Sequence, residues 1–148
     1  MASNIWVVDS SVVLRALLDG SVAATTWLEE VTASDGRLAG SEMLAIEVRR
    51  IALNRELATG DATIASDAEL FLSRFDLMDI DRVITARASA IRLPLRAADA
   101  IHLATALDWG ANAVSFATHD GQQAEAARAL GFRVFDPVTD DPNRGPVA

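Results

Sequence analysis

The chain has 148 residues, no cysteine, 51% hydrophobic and 5% aromatic residues, and a formal net charge of −8. A chain of this length buries about 70% of the surface its unfolded form exposes, so one compact domain is expected without disulfides or a cysteine-held zinc. All 13 basic residues are arginines and there is no tyrosine, which excludes Schiff-base catalysis, a Walker A loop, a serine–lysine dyad, cysteine nucleophiles and phenolic acid–base chemistry.

Ile5-Trp6-Val7-Val8 is a short apolar run of buried-strand type that ends at Asp9-Ser10-Ser11, where a helical pattern begins with Val12, Val13, Ala16 and Leu17. A second helix spans roughly 22–31, and Arg37-Leu38-Ala39-Gly40 reads as a weak strand. Ser41 is an N-cap signal for a long helix to about Leu57, with acidic Glu42 in its first turn. Residues 61–75 read as a helix, 77–80 as a short strand, and 81–91 as a helix that stops before Pro94. A nearly all-apolar helix covers 96–109 and is closed by Gly110. Residues 113–117 form a strand ending at Thr118-His119-Asp120, 122–130 a helix, and 132–135 the last strand.

Alternating strands and helices predict an α/β fold: a short parallel sheet of four or five strands with helices on both faces. Residues 1–137 are assigned to this domain. Three of the four prolines (Pro137, Pro142 and Pro146) cluster near the end with Asp140, Asp141 and Asn143, so 138–148 are expected to form a frayed tail. The longest apolar stretches are broken well before the roughly 18 residues that span a bilayer. Met1-Ala2-Ser3-Asn4 lacks the charged and apolar regions of a signal peptide. A soluble cytoplasmic protein with no membrane partner is expected.

Four acids carry the chemistry. In open parallel sheets ligands bind beyond the carboxyl ends of the strands, where strand order reverses. Asp9 and Asp120 both follow apolar strands and converge at one rim if those strands are neighbours; each also reads as a plain helix cap. Glu47 has Met43, Leu44 and Ile51 one turn away, so its charge projects along an apolar stripe and requires a partner, a salt-bridging arginine being the simpler one. Asp99 lies in the first turn of the apolar helix, where it either emerges at a cleft or serves as a dipole partner.

Gathered in one pocket, these acids repel: two like charges about 4 Å apart cost roughly 1 kcal/mol at bulk dielectric and roughly 4 kcal/mol at an effective dielectric of 20. Protons return or a cation intervenes. Oxygen-only ligands select a hard ion, Mg²⁺ or Mn²⁺, and such sites suit phosphodiester hydrolysis because they need no protein nucleophile. Ser10 and Thr118 adjoin the strand-end acids as supporting hydroxyls, with capping or strand-end hydrogen bonding as the alternative. His102 and His119 are read as locally satisfied hydrogen bonders.

At Val-Val-Asp9-Ser-Ser, at Glu-Met-Leu-Ala-Ile-Glu47-Val-Arg-Arg, at Leu95-Arg-Ala-Ala-Asp99-Ala-Ile-His-Leu-Ala and at Phe116-Ala-Thr118-His-Asp120 the chain resembles the PIN-domain nucleases, and among them the VapC toxins of type II toxin–antitoxin pairs. The likeness runs from Ile5 to about Pro137. It implies that Asp9, Glu47, Asp99 and Asp120 bind one or two Mg²⁺ or Mn²⁺ ions for endonucleolytic RNA cleavage, that a cognate VapB antitoxin blocks the site, and that the toxin is a homodimer. One departure is Gly121-Gln122-Gln123, where the family more often has a bulkier residue. The alternatives are a PIN nuclease of RNA processing without an antitoxin and a non-catalytic PIN-like interaction module. Arg49, Arg50, Arg82, Arg87, Arg92 and Arg96 are either grips for RNA phosphates or solvated helix faces.

Overall fold

The structure is a computed structural model, and it describes residues 4–139. The elements alternate as the sequence leads one to expect: β1 (Ile5–Val8), α1 (Ser10–Leu18), α2 (Val22–Ala33), β2 (Arg37–Ser41), α3 (Glu42–Thr59), α4 (Thr63–Leu72), β3 (Phe75–Met78), α5 (Arg82–Ala90), α6 (Ala97–Trp109), β4 (Ser115–Ala117), α7 (Gly121–Ala129) and β5 (Arg133–Phe135). The five strands form one parallel sheet in the order β3-β2-β1-β4-β5. Strand order therefore reverses at β1, whose Val7 and Val8 pair with Phe116 and Ala117 of β4. That reversal puts the carboxyl ends of β1 and β4, and the residues that follow them, at one rim.

Alternation along β1 divides the core in two. Val8 joins Val12, Leu28, Leu44, Val48 and Leu72 under α1–α4 on one face. Val7 joins Leu103, Ala106, Phe116 and Ala127 under α6 and α7 on the other, and α5 packs on α6. A strand buried on both faces has to be apolar at successive positions, which is why β1 shows no polar alternation. Close packing between β2 and α3 depends on Gly40: a Cβ there would lie 2.8 Å from Leu44 Cδ2 and 3.5 Å from the Val8 carbonyl oxygen.

Boundaries shift in the middle of the chain. The expected strand at 77–80 lies two residues earlier, and α4 ends at Leu72 instead of continuing to Phe75. Phe75 pairs with Leu38 and is buried in the first core, whereas Asp79 and Ile80 lie outside the strand and Asp81 caps α5 by accepting from the Ile84 N–H at 2.9 Å. Of the expected tail, Val138 packs against the first core, and 140–148 lie outside the described residues. Among the described residues no helix is long and apolar enough to cross a membrane.

Candidate active site

Asp9 leaves β1 at the reversal point and is only 3% exposed. Its Oδ1 accepts from the Ser11 N–H at 2.9 Å and from the Ser11 hydroxyl, while Oδ2 accepts from Thr118 Oγ1 at 2.7 Å. The capping role is thus real, and so is the link to β4. Burial pushes the Asp9 carboxyl above its ordinary value, against the opposing effects of the nearby His102 imidazole and of the Ser11 and Thr118 hydrogen bonds.

Thr118 relays this contact onward. Its Oγ1 accepts from the Asp120 N–H at 3.0 Å, and the Ser11 hydroxyl oxygen accepts from the His119 N–H at 2.8 Å. Asp120 caps α7, with Oδ1 accepting from Gln122 and Gln123 N–H groups at 2.9 and 3.1 Å. Both capping bonds use Oδ1, which leaves Oδ2 outside the cap.

Glu47 does not pair with an arginine at the edge of the stripe. Its Oε1 lies 2.5 Å from His102 Nε2, on α6, and the Ser10 side chain is a second hydrogen-bond partner. Burial raises the Glu47 carboxyl, but the His102 hydrogen bond and charge, the Ser10 hydrogen bond and the Arg96 guanidinium outweigh it and hold the group below its ordinary value. One turn before His102, Asp99 keeps 19% of its side chain exposed and meets Arg96 Nε at 3.4 Å. That contact is weak, because the Arg96 side chain is 84% exposed. The Asp99 carbonyl oxygen accepts from Gln123 Nε2 at 3.0 Å, tying α6 to α7.

The four acids thus belong to one linked set. The Asp9 carboxylate reaches the Asp120 backbone N–H through Thr118, Gln123 joins the Asp120 carboxylate to the Asp99 backbone carbonyl, and Asp99 lies one helical turn from His102, which holds Glu47. Ser10, next to Asp9, completes the circuit to Glu47. Among the described residues no group of three or more acid or histidine side chains is already arranged to hold a metal ion. The donor chemistry nonetheless suits a hard cation: the acids supply oxygen only, and Asp9 carries its carboxylate almost wholly out of water, where a cation would replace the lost hydration.

Both histidines bond distant partners, and His102 does so through Nε2 alone, its buried Nδ1 having no partner among the described residues. His102 reaches across 55 residues to Glu47, and His119 Nδ1 contacts Asp136 Oδ2 at 2.9 Å. The sequence reading missed the bridging role of His102 and the parts played by Ser11, Gln123 and Asp136. Spacing carried a trace of two of them, since His102 and Gln123 each follow a candidate acid by three residues. Of the six arginines considered for RNA, Arg49 is committed to Glu69 and Arg87 lies near Asp108. Arg50, Arg82 and Arg92 are exposed. A cleft of about 190 Å³ opens beside Asp120, lined by Thr118, His119, Asp120, Arg128, Asp136 and Thr139 among others, with Asp9, Glu47 and Asp99 outside its lining.

Comparison with known proteins agrees with this geometry. The PIN domain family model matches residues 6–129. Ribonuclease VapC35 of Mycobacterium tuberculosis is 36% identical over 120 residues, spanning 79% of this chain and 84% of that protein. Among solved structures, VapBC2 from Rickettsia felis bound to a promoter DNA fragment superposes with a TM-score of 0.71 at 14% identity, covering 89% of this chain and 98% of that one. DNA-bound VapBC from Salmonella typhimurium gives 0.70 at 18% identity, covering 93% and 99%. A toxin–antitoxin complex from Klebsiella pneumoniae gives 0.65 at 24% identity, covering 93% and 98%. With a family model spanning most of the chain and a relative of this identity along its length, the chain belongs to the PIN-domain family, among its VapC members.

Proposed function

We propose that this chain is a Mg²⁺- or Mn²⁺-dependent endoribonuclease, the toxin of a VapBC-type pair, with Asp9, Glu47, Asp99 and Asp120 as its metal ligands. The observation that carries the reading is the buried carboxylate of Asp9, at the strand-order reversal, hydrogen-bonded to Thr118, which in turn accepts from the Asp120 N–H. Asp9, Glu47, Asp99 and Asp120 would hold a divalent ion that, when bound, would make a water more acidic and offset charge on the phosphate. Asp9 is held by Ser11 and Thr118, Glu47 by His102 and Ser10, and Asp120 by the first turn of α7, so three of the four side chains are restrained before any cation binds. Arg96 and Arg128 stand beside the acids as cations for the flanking RNA backbone, offsetting the negative total charge locally.

The named relative is a ribonuclease and the named structural neighbours include toxin–antitoxin complexes, which supports RNA as substrate and a VapB-like antitoxin as partner. Exposed Ile46, Leu53 and Leu57 recur on one side of α3, with Leu70 exposed on the adjoining α4; this apolar surface favours a protein partner, antitoxin or second copy.

The test is an RNA cleavage assay on the antitoxin-free protein. Cleavage with Mn²⁺ that falls at least about 100-fold in EDTA or in Asp99→Asn is expected, since losing several kcal/mol of charge stabilisation costs that much. Full activity in EDTA, or in Asp9→Asn and Asp99→Asn alike, overturns the reading.

A further inference from the structure

Two buried side-chain polar atoms lack a hydrogen-bond partner among the described residues, His102 Nδ1 and Gln123 Oε1. Both residues are bonded to candidate metal ligands: His102 to Glu47, and Gln123 to the Asp99 carbonyl and, through its N–H, to Asp120. An unpaired buried polar atom costs stability, so a residue serving packing alone would be better replaced by an apolar one of similar size. His102 is 1% exposed and packed within α6. Glu47 is different: it lies on α3 with 28% of its side chain exposed, and its three rotatable bonds would otherwise spread the carboxylate into solvent.

We infer that His102 is a positioning residue, whose buried imidazole donates from Nε2 to Glu47 Oε1 and so holds that carboxylate beside Ser10, the neighbour of Asp9 in sequence, for use as a divalent-cation ligand. An ionised carboxylate only accepts, so the proton in this contact belongs to Nε2. The role is that of the outer partners that orient ligands around a metal, whose loss typically lowers affinity about 10–100-fold. This inference rests on the metal-dependent reading proposed above.

The experiment measures Mn²⁺ affinity of the full chain by titration calorimetry, with melts in EDTA to establish folding. His102→Gln keeps an amide N–H near the position of Nε2 and is expected to stay within about threefold of the parent. His102→Asn sets its amide near Nδ1 instead, and His102→Met offers no donor; both are expected to weaken Mn²⁺ about 10–100-fold. Should His102→Met fail to fold, the Asn and Gln pair decides. Parent-like affinity in His102→Asn overturns the inference, and so does an equal loss in Gln and Asn, which marks a direct ligand or a packing role. Asp99→Asn is titrated alongside. If the parent binds no Mn²⁺, the metal reading and this inference fall together; if the parent binds, Asp99→Asn does not and His102→Asn does, only the positioning role fails.

Discussion

Asp9→Asn should make the metal-free protein more stable while removing its activity. Asp9 is almost fully buried and accepts three hydrogen bonds, from the Ser11 N–H, the Ser11 hydroxyl and Thr118 Oγ1. The single amide oxygen keeps the two Ser11 bonds, each weaker by about 1 kcal/mol as a neutral acceptor, while the amide nitrogen can meet Thr118 Oγ1 only by donating to it, at a similar cost. It also forgoes about 0.5 kcal/mol of favourable interaction with the α1 N-terminus. Against this loss of roughly 3–4 kcal/mol stands relief of the several kcal/mol that burying one ion costs. The raised Asp9 carboxyl shows that desolvation wins, so a net gain of about 1 kcal/mol is expected, or about 2–4 °C in melting temperature for a domain of this size. The pH dependence follows in sign: the unfolded carboxyl loses its proton at a lower pH than the folded one, so the parent loses stability as pH rises from near 3.8 through the folded value. The advantage of Asn therefore grows as the pH rises through the folded Asp9 carboxyl and vanishes below about pH 4. Mn²⁺ at 100 times its dissociation constant adds about 2.7 kcal/mol to the parent alone and reverses the order. Scanning calorimetry in EDTA at pH 7 decides, and an Asn variant melting clearly below the parent refutes the desolvation argument.

Asp120 separates capping from ligation. Asp120→Asn keeps an oxygen for the Gln122 and Gln123 N–H groups, so it should melt within about 0.5 kcal/mol of the parent yet lose RNA cleavage; Asp120→Ala should lose cleavage and about 1 kcal/mol as well. Gly40→Ala should cost about 1–3 kcal/mol in urea unfolding, because the new Cβ meets Leu44 Cδ2, and Leu44 is fully buried with no free direction to turn. Arg49→Ala should change stability by less than about 1 kcal/mol, its bidentate contact with Glu69 being half exposed.

What was legible in the sequence was what is local. An apolar run ending in Asp9-Ser10-Ser11 states both a strand and a capped helix, and the same holds at Thr118-His119-Asp120. The α/β alternation and the helices on both faces followed from such signals. The placement of β3 did not, because Phe71, Leu72 and Phe75 stand at the three- and four-residue spacing of a helix. Only the pairing of Phe75 with Leu38 turns that segment into a strand. Glu47 was legible as a charge in need of a partner, but the partner lay 55 residues away on another helix. No local spacing distinguishes a buried histidine from an exposed arginine as the answer.

The mutual repulsion of the four acids is also partly answered by the fold itself. Asp9 caps α1, Asp120 caps α7 and Asp99 lies in the first turn of α6, so three helix N-termini point positive ends at one rim. Each such end favours a nearby carboxylate by about 0.3–1 kcal/mol, Arg96 adds positive charge near Glu47, and His102 gives Glu47 a hydrogen bond. Capping and the proposed ligation are therefore compatible, because the interactions that start the helices also offset repulsion among the acids without a cation. The consequence is a domain that stays folded without metal. EDTA should leave the far-ultraviolet circular dichroism of the protein unchanged at 25 °C while abolishing cleavage, and unfolding in EDTA would show that the helix ends and His102 fall short of balancing the site.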